Sequence, residues 1–89
     1  MARVLQERRN RLDSHYLVKM LRDQSAIVWS EGDPDYGKLL LQVAKVVKAD
    51  FPDGDVSMVD FLRIMAEPDI KRLLRKAGVA PVDVWDAAQ

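Results

Sequence analysis

Proline and glycine divide this chain of 89 residues into short segments. Its four prolines and four glycines all fall where we expect helices to start or stop. Proline suits the first turn of a helix because its missing N–H would be unpaired there. Glycine suits the position at which a helix ends. Between these breaks, apolar residues recur at helical spacing. The pattern predicts an all-α fold: a single small domain of four to five short helices in a bundle-like or orthogonal array.

The middle of the chain predicts two helices. Asp33 can cap the free N–H groups of a helix that begins at Pro34 and ends near Asp50. Ser57 starts the second helix, since an acidic residue follows it by three positions as in a capping box. The predicted buried stripe of this second helix consists of Met58, Phe61, Leu62 and Met65.

The C-terminal part predicts a helix from Pro68 that ends at Gly78 in a left-handed cap. A last short turn begins at Pro81 and carries Val82, Val84 and Trp85.

The N-terminal third is less regular. We expect a basic arm or helix over residues 1–13 and a compact helical domain over 14–89, whose first helix runs from about 14 to 23 with Asp13 or Ser14 as its cap. Residues 26–29 fit either a strand or a helical turn, and because no second strand is evident we interpret them as an irregular or helical connector.

The charges balance overall but not along the chain. The 14 basic and 14 acidic residues give a formal net charge of zero. Residues 1–22 hold six basic residues against two acids, residues 23–60 hold eight acids against three lysines, and residues 61–82 hold five basic residues against two acids. A zero net charge argues against a dedicated nucleic-acid binder, but the separate blocks could face separate partners.

The sequence lacks the residues that several classes of function need. There is no cysteine and one histidine, which excludes thiolate chemistry and a multi-histidine metal site, and we expect no cofactor. The acids next to proline and glycine lie in predicted loops, where water keeps them ordinary carboxylates, so we do not expect an enzyme or a small-molecule substrate. No apolar run approaches the length of a membrane span, and we expect a cytoplasmic protein without membrane contact.

One acidic segment resembles a known calcium motif. Asp53-Gly54-Asp55-Val56, followed by Asp60-Phe61, is similar to the exit half of an EF-hand loop. In that register Ala49 and Phe51 stand where the motif supplies oxygen ligands, and calcium needs six to eight oxygens. The resemblance therefore implies a degenerate EF-hand-like domain without calcium binding, and the simpler interpretation is an acidic turn before a capped helix.

Two groups of cations are candidate binding residues. Lys71, Arg72, Arg75 and Lys76 share one face of the predicted helix over 68–77, and a weak nucleic-acid-binding protein using this face is one alternative function. A second group, Arg8, Arg9 and Arg11, lies near the N-terminus and could grip an acidic partner or RNA.

The apolar residues favour a different function. Leu41 and Ile64 fall off the buried stripes of their helices, and Trp85 lies outside the clear helices. A domain this small has difficulty covering all of them, so we expect a protein partner or self-association. The preferred hypothesis is a small non-enzymatic protein–protein interaction module, an adaptor, inhibitor or subunit, that binds through helix faces with these apolar anchors and a charged rim.

Overall fold

A computed structural model describes residues 10–89 of the chain, and in this part it contains five helices and one two-stranded ribbon. The elements in order are β1 (Arg11–Asp13), α1 (Ser14–Ser30), α2 (Pro34–Asp50), β2 (Asp55–Ser57), α3 (Met58–Met65), α4 (Pro68–Ala77) and α5 (Pro81–Ala87). The predicted all-α class and the helix number are confirmed. None of the described helices combines the length and the apolar character that a membrane crossing needs.

Predicted side-chain caps stabilise the starts of α2 and α3. The Asp33 carboxylate accepts the backbone N–H of Tyr36 at 3.2 Å and caps α2. The Ser57 hydroxyl oxygen accepts the backbone N–H of Asp60 at 3.0 Å and caps α3. Each cap pairs one of the N–H groups that a helix start leaves free, which contributes about 1 kcal/mol.

Helix α1 is longer than the sequence indicates. The prediction that it ends near residue 23 is wrong, because α1 continues through residues 26–29 to Ser30. Val28 in this last turn is buried, whereas its neighbours Ile27 and Trp29 are nearly half exposed. This difference is typical of a helix that packs one side against the core. Burial of Val28 against the core outweighs the slightly low helix propensity of its branched side chain.

Gly37 lies inside α2 rather than at a helix end, which corrects the prediction for this one glycine. The indole of Trp29 occupies the space beside it: a Cβ on Gly37 would lie 2.3 Å from Cδ1 and Nε1 of that ring. The buried hydroxyl of Ser25 donates a hydrogen bond of 2.8 Å to the carbonyl of Gly37. Gly37 therefore lets α1 and α2 approach closely where the two helices meet.

The two strands form a ribbon that the sequence analysis does not identify. β1 and β2 pair antiparallel, with Leu12 opposite Val56, and both of these side chains are buried. Three-residue strands carry almost no periodicity, so their pairing depends on the helices that bring them together. The predicted N-terminal arm lies mainly in residues 1–9, outside the described residues, while Arg11–Asp13 belong to this ribbon.

Helices α3 and α5 close one end of the core. The rings of Phe61 and Trp85 lie 5.0 Å apart and are tilted by 54°, and both side chains are fully buried. Ile64 is also buried, whereas Leu62, predicted to be buried, is exposed. The buried stripe of α3 is thus displaced toward Ile64 because α5 packs beside the helix. Ile64 and Trp85 cannot serve as exposed anchors, which corrects that prediction.

Helix α4 ends as predicted. Gly78 has a φ of 71°, in the left-handed region, and its N–H donates to the Leu74 carbonyl at 2.9 Å. Glycine adopts this conformation without the steric cost that other residues carry.

Replacing Gly37 by alanine tests the close approach of α1 and α2. We expect Gly37→Ala to lower the free energy of unfolding by about 1–3 kcal/mol, since the new methyl group collides with the indole of Trp29. In a Trp29→Ala background the collision is absent, and the same substitution should be neutral or stabilise by up to about 1 kcal/mol through helix propensity. Urea unfolding of the four proteins measures both values. Equal destabilisation in the two backgrounds would contradict the contact.

Candidate functional site

A groove of about 560 Å³ lies where α1, α2 and α4 meet, and we call it the cationic groove. Its uncharged lining consists of Val18, Leu41, Gln42, Ala44 and Leu73. Its charged lining consists of Arg22, Lys38, Lys45 and Lys48. The groove is thus an apolar trough edged by positive charge.

The charge of this groove has a single sign. Among the described residues its lining includes no aspartate or glutamate, and all four cations are exposed to solvent. Within residues 10–89, none of the four forms an ion pair. Neighbouring cations of this kind make a region of positive electrostatic potential on a protein surface.

Leu41 is the most exposed part of the apolar lining, with 41% of its surface open to solvent. Leu41, which the sequence analysis put off the buried stripe of its helix, is therefore exposed on the surface. Lys38, Leu41, Lys45 and Lys48 follow each other at spacings of three and four residues and lie on one side of α2. The opposite side is fully buried through Leu39, Leu40, Val43 and Val47. Helix α2 has one face in the core and another in the groove.

A second depression of about 520 Å³ adjoins the cationic groove and shares Val18, Arg22 and Lys48 with it. Its own charged groups are largely paired within the chain. His15 Nε2 lies 3.1 Å from Asp53 Oδ1, and Lys19 Nζ donates to Asp23 Oδ2 at 2.7 Å.

The contact with Asp23 changes the pKa of Lys19. The hydrogen bond to the Asp23 carboxylate, followed by its negative charge, raises the pKa of the ammonium group. Because these charges already have partners, the second depression offers less to an acidic ligand than the cationic groove does.

The four predicted cations of α4 are all exposed, but they border two different depressions. Arg72 and Lys76 line a depression beside Gln42 and Leu73, two residues that also line the cationic groove. Lys71 and Arg75 line another one next to α3 and α5. Arg72 is also hydrogen bonded to the Asp69 carboxylate. The basic face of α4 is therefore divided: Arg72 and Lys76 border a depression next to α2, and Lys71 and Arg75 border one next to α3 and α5.

The N-terminal arginines are not brought into the cationic groove as far as the structure describes them. Arg11 is exposed in β1 opposite Ser57 and does not line the groove. Arg8 and Arg9 lie outside the described residues.

The EF-hand-like segment forms a turn, a short strand and a capped helix. Gly54, with a φ of 91°, makes the sharp turn that the motif requires of its glycine, and β2 and α3 follow. Ala49 and Phe51 bring no side-chain oxygen to the loop, and Asp53 accepts a hydrogen bond from His15 if the Nε2 atom carries the proton. Among residues 10–89, no three His, Cys, Asp or Glu side chains gather as metal ligands. The donor set does not fit calcium.

Sequence reasoning missed most of the cationic groove. Arg22, Lys38, Lys45 and Lys48 were not candidate binding residues, because the three lysines fall in the block of the chain where acids predominate. Counting charge along the sequence averages over all sides of a helix. The three- and four-residue spacing of these lysines around Leu41 is the signal that could have found them.

Comparisons with protein-family models, with curated proteins and with solved structures find no match for this chain.

Calorimetry tests the acidic loop. Titration of the chain with calcium to millimolar concentrations should release no binding heat, because positions that must supply oxygens hold Ala49 and Phe51. Saturable heat at a stoichiometry of one, abolished by Asp53→Asn, would contradict this expectation.

Proposed function

We propose that this chain is a small non-enzymatic protein–protein interaction module that binds an acidic segment of a partner protein in the cationic groove. The observation that carries the proposal is a half-exposed leucine, Leu41, at the centre of a surface whose charges are all positive. Interfaces gain most of their energy from a central apolar contact that excludes water, while charged groups at the rim speed and orient the encounter. The groove provides both parts.

The groove chemistry supports binding rather than catalysis. Apart from the amide of Gln42, its polar groups are solvated ammonium and guanidinium groups, and the lining offers no imidazole, carboxylate or hydroxyl to transfer a proton or attack a substrate. The three lysine side chains are exposed to solvent.

A protein partner explains the groove better than a nucleic acid does. Phosphates would satisfy the cations, but they would leave Leu41, Val18 and Leu73 without an apolar partner. The lining contains no aromatic ring on which a base could stack. The alternative site on α4 is divided between two depressions, and Arg72 already has an acidic partner in Asp69.

Selection from a random peptide library tests the proposed function. Peptides that bind the chain should be enriched in Asp and Glu over Lys and Arg. Leu41→Gln should weaken them about ten-fold, since burying a leucine is worth about 1.5–3 kcal/mol and part of its surface stays open, and Lys45→Glu should weaken them similarly.

Two matched variants control this experiment. Val59→Gln removes an exposed apolar residue of α3, and Lys71→Glu reverses a charge beside another depression. Neither residue lines the cationic groove, so both variants should keep the affinity of the wild type. Binders without acidic bias, or acidic binders that tolerate Leu41→Gln and Lys45→Glu, would overturn the proposal.

Salt dependence distinguishes the nucleic-acid alternative. Fluorescence anisotropy with a labelled 20-nucleotide DNA should show only weak binding at 50 mM salt. Tight binding that falls by orders of magnitude between 50 and 200 mM salt, and disappears in Arg72→Glu/Arg75→Glu, would replace the protein partner by a nucleic acid.

A further inference from the structure

We infer that the segment held in the cationic groove is an acidic amphipathic helix that lies along α2. This inference rests on the proposed function and specifies the form of the partner.

The dimensions of the groove correspond to a short helix. Lys38 and Lys48 mark the ends of the exposed stripe on α2, and ten residues of helix span about 15 Å, or roughly three turns. Val18 and Arg22 of α1 border this stripe, and Leu73 of α4 also lines the groove. A trough between helices is the shape into which the side-chain ridges of another helix pack, at an axial distance of about 8–10 Å.

Backbone hydrogen bonding favours a helix over an extended peptide. The described residues that line the groove all belong to α1, α2 or α4, whose backbone groups bond mainly within their own helices, and no strand edge in this part of the chain lines it. An extended peptide would therefore place its N–H and C=O groups against Leu41, Ala44 and Leu73 without partners. A helix satisfies these groups internally and presents only side chains.

The charge pattern sets which side chains the partner presents. An apolar residue at its centre meets Leu41, and glutamates or aspartates three or four residues to either side meet Lys38 and Lys45. A third acid, one further turn along, reaches Lys48.

A second copy of the chain fits this groove poorly. If two α2 helices packed antiparallel about Leu41, Lys38 of each copy would lie beside Lys45 of the other. Like charges at this distance repel, and no acid of the groove lining offsets them. The structure therefore favours an acidic helix of another protein.

Two synthetic peptides of equal composition test the inference. The first has 15 residues, with leucines spaced by three and four positions on one face of a helix and glutamates flanking them. The second alternates the same leucines and glutamates, so that it is amphipathic only as an extended strand. Both have blocked ends and equal charge, and anisotropy measures their affinities for the full chain.

The helical peptide should bind at least ten-fold more tightly than the alternating one and gain helical circular dichroism on binding. Leu41→Gln and Lys45→Glu should each weaken it about ten-fold, whereas Val59→Gln should leave it unchanged. Thermal unfolding of each variant alone tests whether these exposed substitutions preserve the fold.

The outcomes separate this inference from the proposed function. Equal or tighter binding of the alternating peptide would overturn the helical form and leave an acidic partner in place. The same applies if library-selected acidic peptides need Leu41 but tolerate proline at every position, since proline breaks a helix. Failure of every acidic peptide, designed or selected, would overturn both. A doubling of mass in light scattering that is lost in Leu41→Gln would replace the foreign helix by a second copy.

Discussion

The interface between α1 and α2 is the most extensive helix contact among residues 10–89, and Gly37 permits a close approach at the end where Trp29 packs on it. The indole fills the space that any larger residue would need, and Ser25 ties α1 to the carbonyl of Gly37. Helices α3 and α4 then pack on α2. Val18 on α1 and Leu73 on α4 are walls of the cationic groove, which lies where these two helices meet α2. A glycine within a helix, ordinarily a weakness, is here the residue that permits the interface.

The parts of this fold that the sequence predicts are those set by nearby residues. A side-chain acceptor within three positions stabilises a helix start, so Asp33 and Ser57 were identifiable as caps without any knowledge of the tertiary structure. The left-handed end of α4 at Gly78 has the same local origin. Such features involve residues within one helical turn of each other, and the spacing of residues in the sequence is enough to predict them.

The parts that the sequence does not predict depend on elements that are distant along the chain. The ribbon exists because Leu12 meets Val56, and neither three-residue strand has a pattern of its own. Ile64 is buried because α3 has a neighbour in α5 in addition to α2. The candidate site follows the same division. Leu41 and the three lysines around it follow one another along α2, whereas Arg22 comes from α1, which only the fold brings beside them.

The two faces of α2 can change independently of each other. Leu39, Leu40, Val43 and Val47 hold the core, while the stripe from Lys38 to Lys48 contributes little to it. Surface substitutions of this kind usually alter stability by less than about 0.5 kcal/mol. Mutations along the stripe can therefore reverse the surface charges without endangering the fold. Under the proposed function, such changes would exchange one binding preference for another while the core stays the same.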